Sequence, residues 1–219
     1  MAAIERNPSA EPVDAGILHR LRDIPVALLS DQLRRIRGTS LLRPYHKPSP
    51  MAGTAVTVRT RVGDNLAILR AFGMLRAGDV LVVDAGGETS NALVGGIMTL
   101  HTAEIGVAGM VLDGAVRDIA ELGERTFPVY ARGHTHRGPY KDGPGAINVP
   151  VSVGGMTVLP GDIVVGDQDG LLAFGREEAE RTIEGALAQL AKEEATIAAI
   201  REGRWDLSFV DALEARAAN

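Results

Sequence analysis

The chain has 219 residues, no cysteine, and a formal net charge of -5, with 23 Lys and Arg against 28 Asp and Glu. This excludes disulfides, thiolate metal sites, iron–sulfur clusters and a cysteine nucleophile, and argues against a nucleic-acid surface, which carries a basic balance. An anionic substrate stays open, because one arginine can bind an anion inside an acidic protein. Hydrophobic residues make up 45% and aromatics 4%, so the core must be built of Val, Leu, Ile and Ala, as in buried α/β sheets.

The N-terminal stretch MAAIERNPSAEP is polar, has no apolar segment of signal-peptide type, and reads as a loose tail. No apolar run reaches the roughly 18 residues of a membrane span, so a cytoplasmic protein without a membrane partner is expected. Asp14 to Arg37 reads as two short helices around Pro25, with Ser30-Asp31 as an N-cap for the second. The proline-rich stretch from Leu41 to Pro50 reads as a connector. Period-two alternation from Gly53 to Thr60 predicts a strand. A helix follows over 65–77, then a strand over Val80–Val83.

The next segment carries the most chemistry. The Val80–Val83 strand runs into Gly86 and Gly87. A helix is expected from near Asn91, carrying Gly95-Gly96. A second strand over Val107–Leu112 then empties into Asp113-Gly114 and Arg117-Asp118, with Glu121 three residues on. Beyond it come a short helix (119–123), a strand around Val129 and a weakly structured loop from Gly133 to Gly145. Closely spaced strands over 147–153, 157–159, 163–165 and 171–174 have the grammar of an antiparallel meander. A long charged helix spans Arg176 to about Glu202, and the tail holds a short docking helix around Trp205, Phe209, Val210 and Leu213. One α/β domain over 14–205 is expected, with a central mixed parallel and antiparallel β core flanked by helices, and with 1–13 and 206–219 as tails.

Arg117-Asp118 lies beyond a buried strand, where α/β sheets commonly place ligands. The guanidinium suits a carboxylate or phosphate, and the aspartate can hold a hard cation whose other positions are filled by water. A solvated helix start with Asp118 near the N-cap is an equally good reading. The backbone at Gly95-Gly96 can cradle an anion or simply permit close helix–sheet packing. His134 and His136 read as polar loop residues rather than a metal pair, and His101 as a packed helical histidine. Asp167, Asp169 and Gly170 read as a tight turn. No phosphate-loop, dinucleotide or serine-elbow motif is present.

The segments GGETSNALVGG, GVAGMVLDGAVRD and VLPGDIVVGDQDG resemble the RraA-like family, whose catalytic members are class II pyruvate aldolases. The resemblance runs from about Ile24 to Gly203. The family pattern is a glycine, a twenty-residue gap, Arg-Asp, two residues and an acid; Gly96, Arg117, Asp118 and Glu121 match it. The resemblance implies a divalent-metal-dependent aldolase for 4-hydroxy-4-methyl-2-oxoglutarate or a related 4-hydroxy-2-oxo acid, with oxaloacetate decarboxylation as a side activity. It implies Mg²⁺ or Mn²⁺ on Asp118, with Glu121 as an outer group. Arg117 would bind the pyruvyl carboxylate or keto oxygen, and the amides of Gly95, Gly96, Ile97 and Met98 the substrate carboxylate. It further implies a homotrimer or hexamer in which Glu193, preferred over Glu194, reaches a neighbouring site. In one departure, family aldolases often have an acid beside the first glycine of the pair. Here that place is Gly96, and Glu88 is the candidate replacement. The alternative implied by the family is a non-catalytic protein that binds and inhibits an endoribonuclease.

Overall fold

A computed structural model describes residues 3–217. In chain order its elements are β1 (Ile4–Arg6), α1 (Ala15–Arg22), α2 (Val26–Gln32), β2 (Arg43–Pro44), β3 (Met51–Thr60), α3 (Leu66–Ala71) with a 3-10 turn over Phe72–Met74, β4 (Asp79–Asp84), β5 (Ala92–Val94), α4 (Gly96–Ile105), β6 (Gly109–Val116) and α5 (Ile119–Leu122). The second half has β7 (Val129–His134), β8 (Gly145–Ile147), β9 (Val151–Val153), β10 (Met156–Val158), β11 (Ile163–Gly166), β12 (Leu171–Phe174), α6 (Ala179–Arg201) and α7 (Ser208–Ala217).

The parallel order β3-β4-β6-β7 forms the middle of a ten-stranded mixed sheet. These strands are apolar on both faces because both faces are covered. Val58, Leu81, Val83 and Leu112 pack with α3, Met98 and Ile105 of α4, and Leu122. Val80, Val82 and Val111 face the β9–β10 hairpin and β11–β12. A third layer joins α1, α2 and the start of α6 over Ile163, Val165 and Phe174. The mixed α/β architecture and the long C-terminal helix match the sequence expectation.

Several local expectations do not hold. The N-terminal segment is not a loose tail along its described length. β1 pairs in parallel with β8, and the Val13 N–H donates to Thr54 Oγ1 at 2.9 Å. A polar segment can do this because its attachment runs through backbone groups. Ser30-Asp31 lies inside α2, whose N-cap is Pro25. The connector over 41–50 contains β2, which pairs with β7 at the edge of the sheet, a position that tolerates Pro44. Asn91 does not start a helix: the short strand β5 intervenes and pairs with β6 at Ala115 and Val116. β6 is longer than expected and swallows Asp113-Gly114, so Arg117 is its first residue past the ladder.

Candidate active site

β5 and β6 end side by side, and the Arg117 N–H donates to Val94 O at 3.0 Å. Each strand then turns away, β5 through Gly95 into α4 and β6 through Arg117-Asp118 into α5. Asp118 sits at φ 61°, ψ 36°, a left-handed conformation that Asp adopts more readily than most side chains. It occupies the N-cap position of α5, yet its side chain does not cap that helix. Instead Asp118 Oδ2 accepts the Gly96 N–H at 2.9 Å, across the gap, at the start of α4. Asp118 does stand at the helix start, as one reading of the sequence has it, but its carboxylate also reaches the other wall. Arg117 Nε lies 3.7 Å from the same oxygen.

Gly95 and Gly96 make this approach possible. A Cβ on Gly95 would overlap Asp118 Oδ2 and stand 2.9 Å from Arg117 Cγ. A Cβ on Gly96 would overlap the Glu121 carboxylate. The place where family aldolases often have an acid is thus covered here by an acid from α5. Glu88 is not that replacement: its Oε1 accepts from Ser90 Oγ and from the N–H groups of Thr89 and Ser90. These bonds, the Ser90 hydroxyl first, hold the carboxyl below its ordinary range.

The four expected backbone donors are not equivalent. Gly96 N–H is taken by Asp118 and Met98 N–H by Gly95 O at 3.1 Å. The N–H groups of Gly95 and Ile97 have no acceptor among the described residues, as expected for the first turn of a helix. They border a cavity of about 350 Å³ whose lining includes Asn65, Met98, Arg117 and Lys141. Asn65 Nδ2 donates to Leu93 O at 2.9 Å, while its buried Oδ1 has no donor. Asn65 and Lys141 were not singled out from the sequence. Lys141 falls in a loop without periodicity, and Asn65 reads as the start of a helix.

On the other side of Arg117, a cavity of about 360 Å³ is lined by Arg117, Asp118, Ile119, His134, Thr135 and His136. The two histidines, expected as bland loop residues, therefore stand beside the site. His134 Nδ1 lies 3.3 Å from Tyr45 Oη. Among the described residues no group of three His, Asp or Glu is placed to hold a metal by itself. Asp118 Oδ1 has no partner among the described residues, so the donor set fits a hard cation carried by one carboxylate oxygen and water, the manner of Mg²⁺. Glu193 lies on the exposed half of α6, which packs on α1 and α2, and it accepts from Gln189 at 3.1 Å. The contacts described for Asp118 include none from α6.

A larger cavity of about 520 Å³ lies elsewhere, between Arg37, Met156, Asp162 and Glu177. Two of its polar groups are committed to the fold: Asp162 accepts from Leu159 N–H, and Arg37 pairs with Glu178. Size alone does not mark the site. Asp167 and Asp169 form the expected tight turn, with Asp167 accepting from Asp169 and Val26 N–H groups.

The family description "RraA-like: Aldolase/RraA" matches residues 26–173. The chain belongs to the RraA-like family. A protein of Halalkalibacterium halodurans, provisionally named a 4-hydroxy-4-methyl-2-oxoglutarate aldolase, is 38% identical over 190 residues, spanning 86% of this chain and 90% of that protein. The 4-hydroxy-4-methyl-2-oxoglutarate aldolase of Thermus thermophilus is 40% identical over 148 residues, 63% of this chain and 90% of that one. The crystal structure of RraAS2 from Streptomyces coelicolor, described as an unusual member of the RNase ES inhibitor RraA family, superposes with a TM-score of 0.77 at 27% identity. It covers 84% of this chain and 97% of that chain. No helix among the described residues is long and apolar enough to cross a membrane.

Proposed function

We propose that the protein is a divalent-metal-dependent class II pyruvate aldolase. It cleaves 4-hydroxy-4-methyl-2-oxoglutarate or a related 4-hydroxy-2-oxo acid to pyruvate and a second keto acid. The observation that carries this reading is the bond from Gly96 N–H to Asp118, which ties the Arg-Asp turn to the glycine wall, with Arg117 lining the cavity on either side. The names of the relatives agree with it.

Asp118 would hold Mg²⁺ or Mn²⁺ through its unengaged oxygen, with Glu121 on the water shell. When bound, the cation supplies a Lewis acid for the 2-keto oxygen of the substrate. Arg117 offers a planar fork that binds the pyruvyl carboxylate or keto oxygen and favours the negative charge that grows there as the carbon–carbon bond breaks. The free N–H groups of Gly95 and Ile97 orient the carboxylate. They need no reorganisation, since the start of α4 is already fixed. Lys141, which also lines the cavity beside the amides, offers a cation to the second carboxylate of a dianionic substrate. The same arrangement serves decarboxylation of oxaloacetate. A trimeric or hexameric assembly in the cytoplasm, with Glu193 supplied to a neighbouring site, belongs to this proposal.

The deciding experiment is pyruvate release from 4-hydroxy-4-methyl-2-oxoglutarate, with and without EDTA. Release that EDTA abolishes and Mg²⁺ restores is expected. Metal-independent release, or none from any 2-keto acid tried, overturns the assignment. Inhibition of an endoribonuclease by an otherwise inactive protein would then become the reading to pursue, as the description of the Streptomyces coelicolor relative suggests.

A further inference from the structure

The start of α4 and helix α5 are also joined by Arg125, which follows α5. Its Nη1 donates to Gly96 O at 3.1 Å and to Thr99 Oγ1 at 3.3 Å, both in the first turn of α4. Its Nη2 pairs with Glu121. Its backbone is tied down as well, with Arg125 N–H donating to Leu122 O at 3.1 Å and Lys47 N–H to Arg125 O at 2.8 Å. One planar group therefore reaches both the helix that carries the free amides and the acid that lies over Gly96.

We infer that Arg125 is the positioning residue of this site, holding Glu121 over the first turn of α4 and that turn in place for substrate. Helix stability alone does not account for it. A cation at a helix N-terminus opposes the macrodipole, and α4 has no acidic residue of its own in that turn. The negative charge there comes from Asp118 and Glu121 across the gap. Without Arg125 the Glu121 carboxylate, half exposed on a helix of four residues, has no bond among the described residues to keep it over Gly96. A shorter cation cannot span both contacts as the guanidinium fork does.

The inference rests on the aldolase reading for the role of Glu121, and its test separates the two. Arg125→Met is compared with Arg125→Lys, Glu121→Ala and the double variant Arg125→Met/Glu121→Ala. In metal-free protein, amide hydrogen exchange at residues 98–100 is expected to quicken about tenfold in Arg125→Met and less in Arg125→Lys. Titration with Mn²⁺ alone is expected to weaken roughly tenfold in Arg125→Met, the low end for losing a group behind the metal's direct ligands. It should not weaken further when Glu121→Ala is already present. KM should rise more than kcat falls. Exchange and Mn²⁺ affinity unchanged in Arg125→Met, or losses that add fully in the double variant, overturn the inference. Wild-type protein that releases no pyruvate overturns the aldolase reading, while the exchange comparison still decides whether Arg125 holds α4.

Discussion

Helices α1 and α4 start in opposite ways. α1 is capped by its own preceding residue: Asp14 Oδ1 accepts the N–H groups of Gly16 and Ile17 at 2.9 and 3.1 Å. α4 has Gly95 at the N-cap and no local side chain; its cap comes from Asp118, 22 residues further along, and its brace from Arg125. A local cap closes the helix end and finishes it. The remote cap takes one N–H, leaves those of Gly95 and Ile97 open, and brings a carboxylate and a guanidinium with it. The difference is between an end whose donors are taken locally and one that leaves two backbone donors open.

Substituting Asp118 puts this contrast to its strongest test. Asp118→Ala should abolish metal-dependent pyruvate release and also lower stability by about 1 kcal/mol, the usual worth of a cap. Asp118→Asn keeps an acceptor for Gly96 and tolerates the left-handed backbone, so it should keep the stability and still lose Mn²⁺ binding. Thermal melts beside Mn²⁺ titration read the two effects apart. If Asp118→Ala remains fully active, the cation is held elsewhere, and the contrast between the two helix ends collapses.

Asp14→Ala is the counterpart. It should cost about 1 kcal/mol and leave kcat/KM within about twofold, because α1 packs on β3, β11 and α6 rather than at the Arg117 turn. A loss of activity beyond the loss of folded protein would show that α1 also shapes the site.

A smaller effect comes from His46, whose titration makes the fold itself sensitive to acid, away from both helix ends. His46 is buried, and Val129 N–H donates to its Nδ1 at 3.1 Å, which leaves Nε2 to donate to Ser49 O at 3.3 Å. Burial pushes its pKa below the ordinary value. The unfolded chain therefore takes up this proton first, and stability falls as pH drops below about 6.5 toward the lower folded value. A melting temperature that declines already between pH 7 and 5.5, and does so less in His46→Gln, is the expected result; an equal decline in both proteins assigns the sensitivity to another group.

Much of this was legible in the residues. β3, β4 and β6 are apolar stretches bounded by turns, and Arg117-Asp118 announces itself as paired charge past one of them. The start of α4 was misplaced because Ala92-Leu93-Val94 is too short for periodicity to tell strand from helix. The histidine wall was discounted because His134 closes β7, whose pairing with β6 at Val116 brings it beside Asp118. That neighbourhood exists only once the sheet is assembled. Arg125 left no signal at all, since its partners Gly96 and Thr99 lie 29 and 26 residues away. Ends of helices closed by their own neighbours can be read locally, and those closed from a distance cannot.

The pairing of β1 with β8 has a practical consequence for handling the protein. β1 is the last strand on its side of the sheet, so removing the first dozen residues would bare the backbone of β8. A bare strand edge templates pairing between molecules. Material trimmed at the N-terminus by a protease, or expressed from a later start, should therefore clump on storage even though every residue of the pocket is still present.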